Sequence, residues 1–361
     1  MKVALVHDWL TGMRGGEWVL QEIASLFPGA EIFTLVHRRG SVSPELESHT
    51  VHRSWLQMLS FGGRCWRHLL PLMPAAVESF TFPNADLVIS TSHAVAKGVI
   101  PPPGAFHLSY IHTPMRYAWD QREAYLARYP APLRPFIQME LARLRQWDMV
   151  SSARVDRMIA NSRLVAWRIR HYWNRNAEIL PPPVDTDFFT PGGERGDRLL
   201  MVAALVPYKR VDMAMAVAQR LGRRLDVVGT GPLRGRLQRA ARGNTTFLGW
   251  LGREQLREAY RRAAALIVPN IEDFGMVTVE ALACGTPVIG LHASGTEDIV
   301  RPGCEGELAT EPTVEALAEA ATAVLDRSWD EEQLRHRSLC FSRSQFLLRF
   351  RFLVDRLGFT A

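Results

Sequence analysis

From residue 199 onward, short apolar runs alternate with helix-like stretches at nearly constant spacing. Apolar runs at 199–205, 224–228, 245–248, 264–269 and 288–291 are separated by helix-like segments at 208–221, 234–241, 254–264 and 276–283. A strand that reaches its neighbour through a helix must cross over the sheet. The alternation therefore predicts a parallel sheet covered by helices on both faces. The first half repeats the pattern more loosely, with strand-like runs at 2–7, 31–37, 86–90, 105–111, 155–160 and 177–180. Between the halves, Pro181-Pro182-Pro183 stiffens the backbone and ends the last strand. A chain of 361 residues has room for about two cores. The expected division is 1–180, 181–342 and a helical, arginine-rich tail at 343–361.

Composition narrows the function classes. With 47% hydrophobic and 22% charged residues the chain has a globular composition, and no apolar run reaches the ~18 residues of a spanning helix. Residues 2–7 read as a strand, not a leader peptide. Cys65, Cys284, Cys304 and Cys340 lack the spacing of a zinc site or a disulfide framework, so the cytoplasm is the expected compartment. Residues 1–180 hold 20 Lys+Arg against 14 Asp+Glu, whereas residues 181–361 hold 23 against 23. Residues 48–77 contain no acid. There Arg53, Arg64 and Arg67 mix with Trp55, Leu56, Phe61, Trp66 and Leu69. That mixture suits a helix lying on an anionic membrane surface, and equally a core helix with a basic edge. Nucleic acid is disfavoured by the neutral second half and by the lack of any known binding motif.

The chemistry concentrates in Asn270–Gly285. Glu272 and Glu280 stand eight positions apart, Glu272 on a strand-to-helix loop and Glu280 one turn into the helix, with Gly275 allowing a tight turn between them. Loops at the carboxyl ends of parallel strands bind ligands. The N–H groups near Phe274, Gly275 and Met276 at the helix start suit phosphate. Acids on either side can accept hydrogen bonds from hydroxyls, so the stretch fits a nucleotide sugar; the plain alternative is a solvated acid beside an ordinary helix. Lys209 is the sole lysine of the second half. In the first half, Gly15 and Gly16 follow a strand and open a helix, permitting close backbone approach to a ligand, without the G-x-G-x-x-G of a dinucleotide site. His112 ends a buried strand and begins His-Thr-Pro-Met-Arg-Tyr-Ala-Trp-Asp, in which Arg116 is placed to meet a phosphate.

The Glu-x7-Glu spacing resembles the motif of retaining glycosyltransferases of the GT-B fold, in the large group called family 4. The His112–Asp120 string is similar to a signature of a bacterial subset acting on surface-polysaccharide and lipopolysaccharide precursors. Pro182-Pro183-Val184-Asp185 resembles that family's interdomain connection. By this reading Asp185-Thr186-Asp187 only imitates a metal-binding D-x-D, and neither metal nor other cofactor is implied. The resemblance implies two Rossmann-like domains facing each other across a cleft. The first would bind the acceptor, with the tail packing back on it, and the second the donor. It implies catalytic roles for His112, Glu272 and Lys209, with Glu272 on the donor hexose and Glu280 on the ribose. Gly15 and Gly16 would close on the donor. Gly229 would border the nucleotide, while Gly249 and Trp250 would line the base. Where the family commonly holds an arginine for the diphosphate this chain has Ala204, and Arg210 is the candidate replacement. The implied reaction moves a hexose from a nucleoside diphosphate sugar, GDP-mannose by the subset resemblance. The acceptor would be a polyprenyl-diphosphate-linked saccharide at the cytoplasmic face of the inner membrane. The alternatives are an epimerase or hydrolase of the same fold, and a nucleotide-binding partner without activity.

Overall fold

The computed structural model describes residues 1–60 and 66–359, so Phe61, Arg64 and Cys65 lie outside the described residues. Two compact units are present: Met1–Pro182 with Phe346–Ala361, and Pro183–Gln345.

The first unit is built on β1 (Val3–His7), β2 (Glu31–Thr34), β3 (Val51–Arg53), β4 (Leu87–Ser92), β5 (Phe106–Ile111), β6 (Arg157–Ala160) and β7 (Glu178–Ile179), in the order β3-β2-β1-β4-β5-β6-β7. All the pairings described are parallel. Along β1, Ala4 and Val6 enter one core while Val3 and Leu5 enter another on the opposite face. Strands buried on both sides need continuous apolar runs, which is why β1 is uniformly buried. In the tail helix, Arg343–Arg356, Phe346, Phe350 and Val354 recur every four residues and join the core around Leu5 and Leu20.

The second unit carries β8 (Arg198–Val202), β9 (Leu225–Val228), β10 (Thr245–Gly249), β11 (Ala263–Ile267), β12 (Val288–Leu291) and β13 (Gly306–Ala309), ordered β10-β9-β8-β11-β12-β13. Its described pairings are parallel too. In each sheet the order reverses once, between β1 and β4 and between β8 and β11. At such a reversal the connections leave toward opposite faces and open a crevice beyond the strand ends.

Residues 48–77 left two readings open, a helix on a membrane surface and a core helix with a basic edge, and the described residues of this stretch form several short elements instead of one helix. These are β3, a four-residue helix (Leu56–Leu59), a 3-10 segment (Trp66–Leu72) and a short helix (Met73–Glu78). Leu56, Trp66 and Met73 are buried in the core, so much of the apolar surface read as membrane-facing is packing. The segment carries Pro71 and Pro74, and neither fits a helix interior.

Candidate functional site

In the second unit, the loops after β8 and β11 flank the reversal of strand order and bring Lys209 and Glu272 together. The Lys209 ammonium donates to both carboxylate oxygens of Glu272, at 2.6 and 2.8 Å, with both side chains mostly shielded from water. Burial works against the charge on Lys209, but Glu272 outweighs it and holds the pKa above the ordinary lysine value. The Glu272 backbone is fixed as well: its N–H donates to Ser294 Oγ (2.9 Å) and its carbonyl accepts from Gly295 N–H (2.8 Å). Three residues on, Gly275 adopts φ +99° and starts the helix Met276–Ala283. The Phe274 side chain packs in the core against Phe341, so only its backbone can face a ligand. Glu280 lies half-buried on that helix and accepts a 2.7 Å hydrogen bond from the hydroxyl of Tyr260. Burial pushes the Glu280 carboxyl up, partly countered by that bond.

The glycine turn after β9 closes against the first loop. Gly229 has φ +131°, and its N–H donates to Gly249 O at 2.7 Å. A Cβ on Gly229 would lie 2.0 Å from the Ala203 carbonyl, so no side chain fits at this crossing. Trp250 is 78% exposed and lies beside this turn without being enclosed. Arg210, expected to stand in for the missing arginine, sits at φ +51° and turns outward to Asp212 (3.4 Å). Ala204 is exposed. Asp185 accepts from Phe188 N–H and pairs with Arg253 and Arg343, so its carboxylate is already engaged. Among the described residues no group of three or more His, Cys, Asp or Glu side chains is arranged to hold a metal ion.

In the first unit, the ends of β1, β4 and β5 gather His7, His93 and His112. Ring centroids lie 6.0 Å apart for His7–His93 and 6.1 Å for His93–His112. The loop at Gly15–Gly16 covers them, and a Cβ on Gly16 would sit 3.3 Å from His7 Cε1 and 3.5 Å from His112 Nε2. A side chain here would press on His7, which would have to give by a few tenths of an ångström. Nε2 of both His7 and His112 is buried without a hydrogen-bond partner. Burial, reinforced by the neighbouring imidazoles, holds His7 well below its ordinary pKa and His112 at about 3, so both rings are neutral at physiological pH. Glu17, in the first turn of the helix Gly15–Leu26, is pushed up to about 7 by burial and accepts from Arg14 N–H (3.1 Å). The carboxyl in the first turn of that helix therefore takes up a proton more readily than an ordinary glutamate, which softens repulsion toward an incoming anion. Asp8 is a structural brace. Its two oxygens accept from the N–H groups of His93, Ala94, Val95 and Ala96 at 2.7–3.0 Å, locking the β1 loop to the β4 loop.

The His112–Asp120 string is clasped at three points. Asn161 Nδ2 donates to His112 O (3.0 Å), and Arg168 reaches both Thr113 Oγ1 and Asp120 at 3.1 Å. Trp119 Nε1 donates to Asp148 at 2.8 Å. Arg116 pairs with the same Asp120 (3.3 Å). The Trp and Asp of the string thus act as fasteners that aim His112 and Arg116.

The sequence reading overlooked His7, His93, Glu17 and Tyr260. The first two lie at strand ends, as His112 does, but what brings them to His112 is the pairing of β1, β4 and β5, which no local stretch of sequence shows. Tyr260 carried none, being one aromatic on a helix of mostly charged residues.

Residues 186–338 match the family described as Glycosyl transferases group 1. That match covers most of the second unit, Pro183–Gln345, and makes it similar to group 1 glycosyl transferase domains. The D-inositol 3-phosphate glycosyltransferase of Mycolicibacterium smegmatis is 31% identical over 199 residues, 48% of this chain and 46% of that protein. The chain spans about half the length of the curated relatives it matches. Over 99% of its length it shares its fold with sucrose-phosphate synthase from Thermosynechococcus elongatus (TM-score 0.75, 17% identity, 99% of that chain). The Anabaena protein HepE, solved with UDP and glucose, is similar at TM-score 0.71, 15% identity, 99% of this chain and 100% of that one. Both units are parallel-sheet, Rossmann-like domains, the architecture shared with these GT-B neighbours.

Proposed function

We propose that this protein is a retaining, metal-independent glycosyltransferase that moves a hexose from a nucleoside diphosphate sugar to a saccharide acceptor. The observation that carries the reading is the Lys209–Glu272 pair at the strand-order reversal of a group 1 domain, beside the N-terminus of the helix Met276–Ala283. A departing diphosphate needs about two negative charges stabilised. Lys209 and the N–H groups at that helix start can supply this. Glu272 is then released to take donor hydroxyls, and Glu280 takes the ribose. In the first unit His112 and the Gly15–Gly16 loop face the reacting sugar, and Arg116 serves a phosphate of donor or acceptor. Arg210 has a lesser part, because Asp212 already occupies it.

The finer reading is GDP-mannose as donor and a polyprenyl-diphosphate-linked saccharide as acceptor, at the cytoplasmic face of the inner membrane. No described helix is long and apolar enough to cross a membrane. Helices on one face of the first sheet leave Met58 (79%), Phe136 (66%) and Met139 (49%) exposed. With Arg53, Arg134 and Arg143 on the same segments, this surface suits an anionic bilayer. Sedimentation with vesicles containing phosphatidylglycerol is expected to carry the protein down at low salt and release it at high salt. A Phe136→Glu/Met58→Glu variant should stay in solution, and equal binding by that variant would remove the membrane contact.

The donor is tested by thermal shift with GDP, UDP, ADP and dTDP. A single ribonucleoside diphosphate should raise Tm by several degrees at millimolar concentration through mass action. Product analysis with that base's labelled sugar then separates transfer from hydrolysis or epimerisation. Turnover without acceptor would favour the latter, and stabilisation by none of the four would overturn the reading.

A further inference from the structure

Glu280 is held by a residue that no sequence signal pointed to. Tyr260 is fully buried on the helix Arg253–Arg262, edge-on to Phe189 at 5.8 Å. Its hydroxyl donates to Glu280 Oε2 at 2.7 Å, and its carbonyl accepts from the Thr286 hydroxyl at 2.6 Å. The ring cannot swing away without opening the core. One carboxylate oxygen is therefore fixed in place, while the described residues give Oε1 no hydrogen bond.

We propose that Tyr260 is a positioning residue that tethers one oxygen of Glu280 so that the other accepts the ribose hydroxyls of the donor nucleotide, making the site selective for ribonucleotides over 2′-deoxyribonucleotides. This rests on the reading of Glu280 given above, and it deepens that reading by naming the substrate class. A rigid acceptor discriminates better than a mobile one, because a missing hydroxyl leaves a half-buried carboxylate without its partner. An untethered Glu280 could turn toward water or toward Arg253 and lose little when the 2′-hydroxyl is absent. It follows that nucleoside diphosphate sugars built on deoxyribose are poor donors.

The test is calorimetric binding of UDP against dUDP and GDP against dGDP, with wild type, Tyr260→Phe and Glu280→Gln. Wild type should prefer the ribonucleotide of the accepted base by about tenfold or more, ~1.4 kcal/mol. Tyr260→Phe, which keeps the ring and its packing, should reduce the preference to about twofold, as should Glu280→Gln. Donor KM should rise in Tyr260→Phe with kcat nearly unchanged. The pH dependence gives a readout that packing alone would not move. Glu280 faces Tyr260 and Arg253 from one helix, Asp185 from the segment after the prolines, and Cys284 on its own helix. Burial raises its pKa and Tyr260 lowers it, so selectivity present at high pH is lost as pH falls, and in Tyr260→Phe that loss begins at a higher pH. Glu280→Asp, which withdraws the carboxylate and leaves Tyr260 intact, should lose the preference too, and it decides the matter if Tyr260→Phe does not fold. Wild type binding ribo- and deoxyribonucleotides equally would overturn the ribose reading of Glu280 itself. Wild-type selectivity retained in full by Tyr260→Phe would overturn the tether and leave that reading standing, whereas its retention by Glu280→Asp would overturn both.

Discussion

Replacing Lys209 by alanine is expected to lower kcat/KM for sugar transfer by about 10²- to 10³-fold, ~2.7–4 kcal/mol, the range for losing one preorganised donor to developing negative charge. Two effects add. The ammonium that meets the diphosphate is gone, and the Glu272 carboxylate loses the cation that gripped it at 2.6 and 2.8 Å where a polyanion must approach. Coulomb repulsion of that carboxylate should appear as a raised donor KM, and loss of leaving-group stabilisation as a lowered kcat. A Lys209→Ala/Glu272→Gln variant removes the repulsion but also weakens the acceptor that Glu272 offers the donor hydroxyls, so any recovery should appear in KM and none in kcat. Lys209→Arg should fall between, since the charge remains but the longer, planar head cannot reproduce both contacts. Steady-state kinetics with the accepted donor measures this. A loss within fivefold in Lys209→Ala would show that the diphosphate is held elsewhere, with Arg210 the first place to look.

How much of this was legible in the sequence depends on the distance over which each feature is encoded. The strand Val288–Leu291 and the helix starting at Met276 were readable because strand, loop and helix follow one another within a few residues and each leaves its own periodicity. The same local grammar placed Glu272 on a loop and Glu280 a turn into a helix. The N-cap at Ser162, whose side chain accepts from Val165 N–H, is local in the same way. Features fixed by register between distant strands were not readable. His7, His93 and His112 meet because β1, β4 and β5 lie side by side, with His7 opposite Thr91 and Ser92 opposite Ile111. No window of sequence contains that. The strands Val51–Arg53 and Gly306–Ala309 were missed because neither is an apolar run: His52 and Arg53 make up most of the first, and Gly306 and Glu307 half of the second. Residues 48–77 left both readings open for the opposite reason. Large apolar residues without acids are common to a membrane-facing helix and to short segments plugging a core, and only the fold distinguishes the two. Trp119 and Asp120 were read as part of a signature, and their physical work as fasteners depends on Asp148 and Arg168, each more than two dozen residues away in the chain.

The second large effect follows from that fastening. Substituting Asp148 by alanine is expected to destabilise the first unit by ~3–5 kcal/mol, the cost of breaking a buried ion pair from one side. Lys97 and Asp148 are both inaccessible to water, with Nζ 2.9 Å from Oδ1. The ammonium also donates to Asp148 O and Ser151 Oγ at 2.8 Å, and it lies 4.6 Å from the Trp173 ring centroid and 5.1 Å from that of Trp147. The other carboxylate oxygen accepts from the indole N–H groups of Trp119 and Trp173, both at 2.8 Å. Alanine at 148 therefore strands a charge and two indole donors at once. Burial already holds the Lys97 pKa below its usual value against the pull of Asp148, so without the acid the lysine should lose its proton more readily still. Lys97→Met is the milder change, since Asp148 keeps both indole bonds and only its cation is lost. A Lys97→Met/Asp148→Leu variant should be more stable than Asp148→Ala alone, because it buries no unpaired charge and leaves only the indoles unsatisfied. Calorimetry can resolve this order provided the transition of the first unit is followed separately, since a two-unit chain need not unfold in one step. Loss of the Trp119 bond should also loosen the loop that aims His112, so in Asp148→Ala, assayed well below its melting transition, kcat should fall while nucleotide affinity of the second unit stays unchanged. Stability within about 1 kcal/mol of wild type would mean that water or a neighbouring acid replaces Asp148, and the clasp on the His112–Asp120 string would then have to rest on Asn161 and Arg168 alone.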